Sequence, residues 1–317
     1  MQVEGLTYST TQSEEAYAPG HITGFFKVHI SDNPLLTGST GAGICLEAGV
    51  TTRVTIKKSN KPEFTLLWNG LPMHEPKVCK SVLRRIIDPE AHLSIVAEQS
   101  SLLPINYGYG MSGASALSLA LAINKALGSP MPITKVGDVA HFAEVENLTG
   151  LGDVSAQMVG GFEIRLAPGA PTVGMVKRLL DHDEFLIITT PVKPISTKRM
   201  ISINLKRINE QGDFAMSAFM KSPTLETFIN LSRGFWERLL PMDAKMAMVM
   251  KKYESLGIPF VSLKKGLVYG MIHEDEVHKV LGRISQTPSN LNLPILIHDR
   301  SSDLSFIVSR LSSRGAN

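Results

Sequence analysis

Residues 103–124 read LPINYGYGMSGASALSLALAIN. An uncharged loop carrying Pro104, Gly108, Gly110 and Gly113 empties into a run of Ala, Leu, Ser and Ile with no charge before Lys125. A helix that is small and apolar all round has to be buried on every side, so the rest of the chain must wrap it. Its first turn opens at the glycines. There, unpaired backbone amides and the positive end of the helix dipole favour an anion, and glycine lets a phosphate approach the backbone. Ser112 and Ser115 add hydroxyls for phosphate oxygens or a magnesium ion. The same residues also suit a serine-capped glycine turn ahead of a core helix. The segment is not a Walker A loop, because no Gly-Lys-Ser/Thr follows. GYGMSG satisfies G-x-G-x-x-G by letter but lacks the strand and ribose-binding acid of a dinucleotide fold.

Wrapping such a helix takes a large core, and the composition allows one. The chain has 317 residues, 43% apolar and 19% charged, enough for one large or two fused domains. Its 32 basic and 29 acidic residues leave a net charge of +3. That balance argues against a nucleic-acid partner, and short basic clusters such as Lys57-Lys58 and Arg84-Arg85 read as solvated surface. Cys45 and Cys79 fit no metal spacing and are too few for a disulfide scaffold. With a polar, acidic N-terminus and no apolar run of 18 residues, the expectation is a cytoplasmic chain with no membrane partner.

Patterning predicts strands at 22–30, 50–56, 64–68 and 92–97 and a helix at 78–87. The stretch SDNPLLTGSTGAG between the first two strands reads as a long glycine-rich connection. Helices are expected at 112–127 and 134–147, then a loop around Asp153, a short apolar helix and the strand FEIRLAP. PGAPTVG at 168–174 is the best boundary, dividing domains at 1–170 and 171–317. Beyond it come a strand at 185–190, helices at 197–209, 213–220, 224–239 and 243–256, strands near 258–263 and 267–272, a helix at 274–284 and a strand near 294–298. Strands cluster in runs, so the fold class is α+β in two lobes.

P-x3-G-x-G-x-S-x2-S-A at Pro104, Gly108, Gly110, Ser112, Ser115 and Ala116 resembles the phosphate loop of the GHMP small-molecule kinases. Ala18-Pro19-Gly20 and the loop GLGDVSAQMVGG match two further elements of that family in order. The segments APGHITGFFKVH, GSTGAG and LTGLGDVSAQMVGGFEIRLAPGAP are most similar to its archaeal members that phosphorylate pantoate on a route to coenzyme A, over residues 16–175. The resemblance implies a two-lobed GHMP-kinase-like fold, ATP and Mg2+, pantoate as the small-molecule substrate, and a homodimer. A different small alcohol, as in mevalonate-pathway or homoserine kinases, and a non-catalytic ligand-binding relative are the alternatives. The chain departs from the wider family in two places. His21 stands where many members have a lysine, and AKMAMVMKKYESLG at 244–257 lacks the expected internal glycines, so no site residue is assigned in 176–317.

Roles follow from the chemistry of phosphoryl transfer, which needs held phosphates, a metal and an oriented hydroxyl. Pro104, Gly108, Gly110, Met111, Ser112, Gly113, Ala114 and Ser115 are the expected ATP-binding residues. Ser112 and Glu144 are the expected metal ligands, magnesium preferring few carboxylates with phosphate and water. Glu146 lies about 200° round the helix from Glu144 and should not share the site. Asp153 is the expected catalytic residue, accepting or orienting the acceptor proton, although a helix N-cap would explain an aspartate there as well. Pantoate is an anion, and His21, Thr23, Lys27, Ser39 and Arg165 are the expected substrate-binding residues, with Arg53 a further cation. Residues 38–41 are expected to close over the substrate as a loop.

Overall fold

The structure is a computed structural model that describes residues 11–179, 184–284, 291–299 and 302–317. The first ten residues of the polar N-terminal segment lie outside the described residues.

Strands β1 (Gln12–His29) and β2 (Gly38–Lys58) form one long antiparallel ribbon, paired from Gln12↔Ile56 to His29↔Gly38. The other edge of β2 is shared. Residues 51–58 pair with β5 (Leu93–Ser100), and residues 41–44 pair with β6 (Phe162–Ala167). β3 (Glu63–Trp68) joins β5 in parallel, while β4 (Leu71–Pro72) and β7 (Met175–Arg178) close the two ends of this seven-stranded sheet. β7 lies beyond residue 170 and still belongs to the first sheet. The second sheet is antiparallel, in the order β11 (Ile295–Asp299), β12 (Leu304–Arg310), β8 (Phe185–Pro191), β10 (Leu267–His273), β9 (Phe260–Lys264).

Helices α1 (Lys77–Ile86), α2 (Met111–Ala126), α3 (Ile133–Asn147) and α4 (Asp153–Val159) pack with one another, and α2 lies on the β1–β2 ribbon. Every residue of α2 except Ser112 and Lys125 is buried. Ser112, in the first turn, is half-buried. α5 (Thr197–Phe219) and α6 (Leu225–Leu239) lie against β1, and α7 (Ala244–Ser255) packs against β9 and β10. A turn of 3-10 helix, Glu274–Glu276, leads into α8 (Val277–Gly282). Aromatic rings tie α5 and α6 to the first sheet, with Phe25 on Phe219 at 5.5 Å and Phe162 on Phe228 at 5.0 Å. Such edge-to-face pairs contribute about 0.5–1.5 kcal/mol beyond their buried area.

The architecture is the mixed helix-and-sheet class expected from the clustered strands, but several elements differ. The glycine-rich stretch 38–43 is strand, not a loop free to close over a substrate. Its glycines are needed by the ladder: a Cβ on Gly41 would lie 2.2 Å from the Phe25 carbonyl oxygen, and one on Gly43 would lie 2.3 Å from His21 Nε2. β1 begins ten residues earlier than its apolar run suggests and carries Ala18-Pro19-Gly20 within it. Proline cannot donate to the ladder, and the register shifts between Pro19 and Gly20. The two helices expected at 197–209 and 213–220 are one, because Gly212 marks a close contact and not a break. β12 carries no expectation from patterning, yet it sits beside β8 inside the second sheet.

Candidate active site

Two β1 residues start the site. His21 is fully buried, and each ring nitrogen faces a carboxylate: Nδ1 lies 2.6 Å from Asp153 Oδ1, and Nε2 lies 3.1 Å from Glu163 Oε1. Thr23 Oγ1 donates to Asp153 Oδ1 at 3.4 Å. Asp153 is the first residue of α4, one position past its N-cap, Gly152. The N-cap position expected for it belongs to Gly152, and its side chain turns to His21. Both hydrogen bonds fall on Oδ1, which leaves Oδ2 as the oxygen available to the pocket that Asp153 lines. Burial works to raise the Asp153 pKa, but the Lys264 charge, the His21 bond and charge, and Lys265 outweigh it and hold the carboxyl far below the usual range.

Arg165 follows Glu163 by two on β6, so the two side chains share a face. Its Nη1 donates to Glu163 Oε1, while Nε and Nη2 are buried without a partner. A Cβ on Gly152 would come within 2.3 Å of Ser39 Oγ and 3.0 Å of Arg165 Nε. The absence of a side chain at 152 therefore keeps open the space between those two donors.

The loop from Pro104 delivers α2 to the same place. Gly108 and Gly110 take positive φ, +107° and +64°, which favours glycine. The Ala114 amide already donates to the Gly110 carbonyl at 3.0 Å. The free first-turn amides are thus those of Met111, Ser112 and Gly113, a shorter cradle than expected. Ser115 does not serve it either: its hydroxyl is buried and donates to Gln99 Oε1 at 2.6 Å. Gly110 and Gly113 have a second duty, because Cβ atoms there would come within 3.1 Å of His21 Cβ and 2.8 Å of Gln157 Oε1 respectively.

Glu144 is buried on α3 and accepts from Ser112 Oγ at 3.0 Å and Thr149 Oγ1 at 2.6 Å. Burial pushes its carboxyl up to about 7, with the Asp153 charge acting the same way against the Thr149 and Ser112 bonds. A Cβ on Gly150 would fall 2.2 Å from Glu144 Oε2 and 3.3 Å from Asp153 Oδ2, so glycine preserves a gap between the two carboxylates. One carboxylate and one hydroxyl beside free amides fit a hard cation that brings its own phosphate and water ligands. Among the described residues, no group of three His, Cys, Asp or Glu forms a cage for a metal. Glu146 pairs with Arg85 at 3.2 Å, away from Glu144.

Lys27 and Arg53 stand apart from this cluster. Lys27 reaches Asp213 of α5 at 2.8 Å, and Arg53 reaches Glu15 at 3.2 Å on the exposed side. The second sheet supplies what the sequence reading missed. Lys264, at the end of β9, is buried; its Nζ donates to the His21 carbonyl at 3.1 Å and Thr23 Oγ1 at 3.3 Å and lies 3.9 Å from Asp153 Oδ1. Lys265 donates to Thr197 Oγ1 at the start of α5. Both line the pocket with Thr23, Ser39, Asp153 and Trp236. Glu163 was missed as well, although it could have been found as the period-two neighbour of Arg165, whereas nothing in LKKG points to Asp153.

The family model for the GHMP kinases N-terminal domain matches residues 77–161, the segment holding the loop, Glu144 and Asp153. The chain is 39% identical over 225 residues to a pantoate kinase of Methanocaldococcus jannaschii, covering 69% of this chain and 78% of the relative. It is 30% identical over 286 residues to a pantoate kinase of Thermococcus kodakarensis, covering 88% and 93%. A solved phosphotransferase related to the coenzyme A biosynthesis pathway superposes over 96% of this chain and 98% of its own at a TM-score of 0.82 and 23% identity. Homoserine kinase from Cytophaga hutchinsonii superposes over 99% of each chain at 0.65 and 16% identity. At those identities the structures show a shared fold. With a relative at 39% identity across more than two thirds of its length, this chain belongs to the pantoate kinase family of the GHMP kinases.

Proposed function

We propose that this chain transfers the γ-phosphoryl group of ATP to the primary hydroxyl of pantoate, giving 4-phosphopantoate on an archaeal route to coenzyme A. The observation that carries the reading is the convergence in one place of three parts from distant segments. Asp153 turns a free carboxylate oxygen to the pocket. The Ser112–Glu144 pair stands beside the first-turn amides of α2. Arg165 keeps two unpaired donors behind Ser39 and Gly152.

In this reading the amides of Met111, Ser112 and Gly113 hold phosphate oxygens, and the backbone supplies much of the field because the loop has no charge. Ser112 and Glu144 would hold Mg2+, which when bound neutralises phosphate charge. Asp153 takes the acceptor proton on Oδ2. His21, fixed between Asp153 and Glu163, sets the direction of that carboxylate. A guanidinium matches a carboxylate in a planar two-point contact, so Arg165 with Ser39 would hold the pantoate anion. The same reading places the enzyme in the cytoplasm as a homodimer, which light scattering on the purified protein checks. Among the described residues no helix is long and apolar enough to cross a membrane.

A coupled ADP-release assay with ATP and magnesium tests the reading against pantoate, mevalonate, mevalonate phosphate and homoserine. The expected result is turnover on pantoate alone, reduced at least about 100-fold in Asp153→Asn. Arg165→Met should raise the pantoate KM by at least about tenfold and leave the ATP KM nearly unchanged. Turnover on a different alcohol would sink the pantoate assignment, and none on any would sink the kinase.

A further inference from the structure

The glycine loop carries no charge, and the lysine that stands 3.9 Å from Asp153 Oδ1 comes from the other sheet. We propose that Lys264 is a catalytic residue of the transfer, its ammonium pairing with the acceptor oxygen as that oxygen gives its proton to Asp153. The proposal rests on the kinase reading above.

Three observations carry it. Lys264 is 4% exposed and lines the pocket with Asp153. An ammonium has three N–H donors. Two are taken, by the His21 carbonyl and Thr23 Oγ1, and the distance to Asp153 Oδ1, 3.9 Å, is too long for a third bond. One donor therefore remains for an atom seated beside Asp153. The third observation is the backbone. Leu267 pairs with Lys264, so Lys265 and Gly266 form a two-residue turn, and Lys265 adopts a φ of +53°. Asn, Asp or Gly is favoured there, and a lysine in the left-handed region carries a steric cost. Gly266 beside it lies so close to Lys193 that a Cβ would fall 1.8 Å from its carbonyl oxygen. A constrained turn thus holds the lysine pair at the mouth of the site.

In the step itself, a bond forms between the acceptor oxygen and the γ-phosphorus. The bond from that phosphorus to the bridging oxygen breaks, and its electron pair leaves with ADP. The hydroxyl proton goes to Asp153 Oδ2, and Lys264 keeps its own protons. Positive charge fixed at the oxygen where negative charge develops is the kind of contribution that a dry site makes strong.

The groups around the ammonium are Asp153 of α4, Lys265 of the turn, Arg165 of β6, Cys45 of β2 and the His21 ring of β1. Burial pushes Lys264 down to about 7; Asp153 pulls it back, and Lys265 and Arg165 push the same way as burial. The charged form is therefore present below about 7 and lost as pH rises through it.

The test measures ADP release from pH 5.5 to 9.5 for wild type, Lys264→Met and Lys264→Arg, together with Tm and binding of a fluorescent ATP analogue. Wild-type kcat/KM should fall as pH rises through about 7. Lys264→Met should lose at least about 100-fold in kcat with its Tm and nucleotide affinity kept. Lys264→Arg should recover turnover to within about tenfold of wild type and shift that limb to higher pH, since arginine stays charged. A kcat within about threefold of wild type in Lys264→Met would overturn the proposal. So would joint loss of turnover, nucleotide binding and Tm in both variants, which marks a structural lysine. If pantoate is not the acceptor, the series is read on whichever alcohol turns over, and turnover on none overturns both readings.

Discussion

His21 gathers groups from both sheets and from α4 around one residue, with a carboxylate at each ring nitrogen, Arg165 beyond Glu163 and Lys264 on its backbone carbonyl. Of these partners Asp153 has the clearest pH signature. Lys264, His21 and Lys265 hold its carboxyl far below the usual range against burial, while in the unfolded chain it takes a proton near pH 3.9. As pH falls through about 4, the unfolded state binds a proton that the native state refuses, and stability drops. The stabilisation from this aspartate is present above that pH and lost progressively below it. Thermal melts from pH 2 to 7 should therefore show wild type above Asp153→Asn by the widest margin at pH 6–7, the gap closing below about pH 4. A gap constant across the range would mean that the carboxyl is not held ionised by its neighbours. Asp153 and Ser112 could be picked out from the loop motifs in which they stand, and Glu144 as a carboxylate on the helix ahead of the Asp153 loop. Lys264 could not, because its bond to the His21 carbonyl spans 243 residues and a lysine pair before a glycine has no pattern of its own.

At the scale of elements, glycine is where sequence reading and structure part company. Gly110 and Gly108 behave as the pattern suggests, turning the chain into α2. Gly212 and Gly41 do not. Patterning takes them for a break and a loop, whereas each lets one backbone lie against another, a fact about the neighbour and not about the local sequence. Gly212→Ala separates the two meanings. Helix propensity alone would stabilise α5 by about 1 kcal/mol. The added Cβ would stand 2.2 Å from the Phe26 carbonyl oxygen, on a strand held from the other side by β2, and neither backbone can move away cheaply. Overpacking of that kind costs about 1–3 kcal/mol, so the net effect should be a lower urea midpoint with an unchanged m-value. A higher midpoint would show that α5 stands off β1.

Across the whole molecule, the candidate site depends on how the two sheets meet, which they do at the glycine loop as well as directly through the Leu46↔Leu311 bridge, and local periodicity does not specify that docking. The contact is nonetheless specific. Tyr109, buried within the glycine loop, donates its hydroxyl to Thr189 Oγ1 of β8 at 2.9 Å, and the Ile195 amide donates to the Asn106 carbonyl at 3.0 Å. On its other side the Tyr109 carbonyl accepts the His21 amide at 2.8 Å. The loop is thus suspended between β1 and the second sheet. Tyr109→Phe removes one strand of that suspension and little else, because Thr189 keeps its bond to the Ile307 carbonyl and the ring remains to fill the core. The loss of a buried hydrogen bond should lower stability by about 1 kcal/mol. The functional effect should fall on the nucleotide: an ATP KM raised by about three- to tenfold, with kcat and the pantoate KM near wild type, since Asp153, Arg165 and Lys264 do not bond to the phenol. A change confined to the pantoate KM would instead mean that the second sheet acts on the acceptor side through its lysines, and that the loop is held by β1 alone.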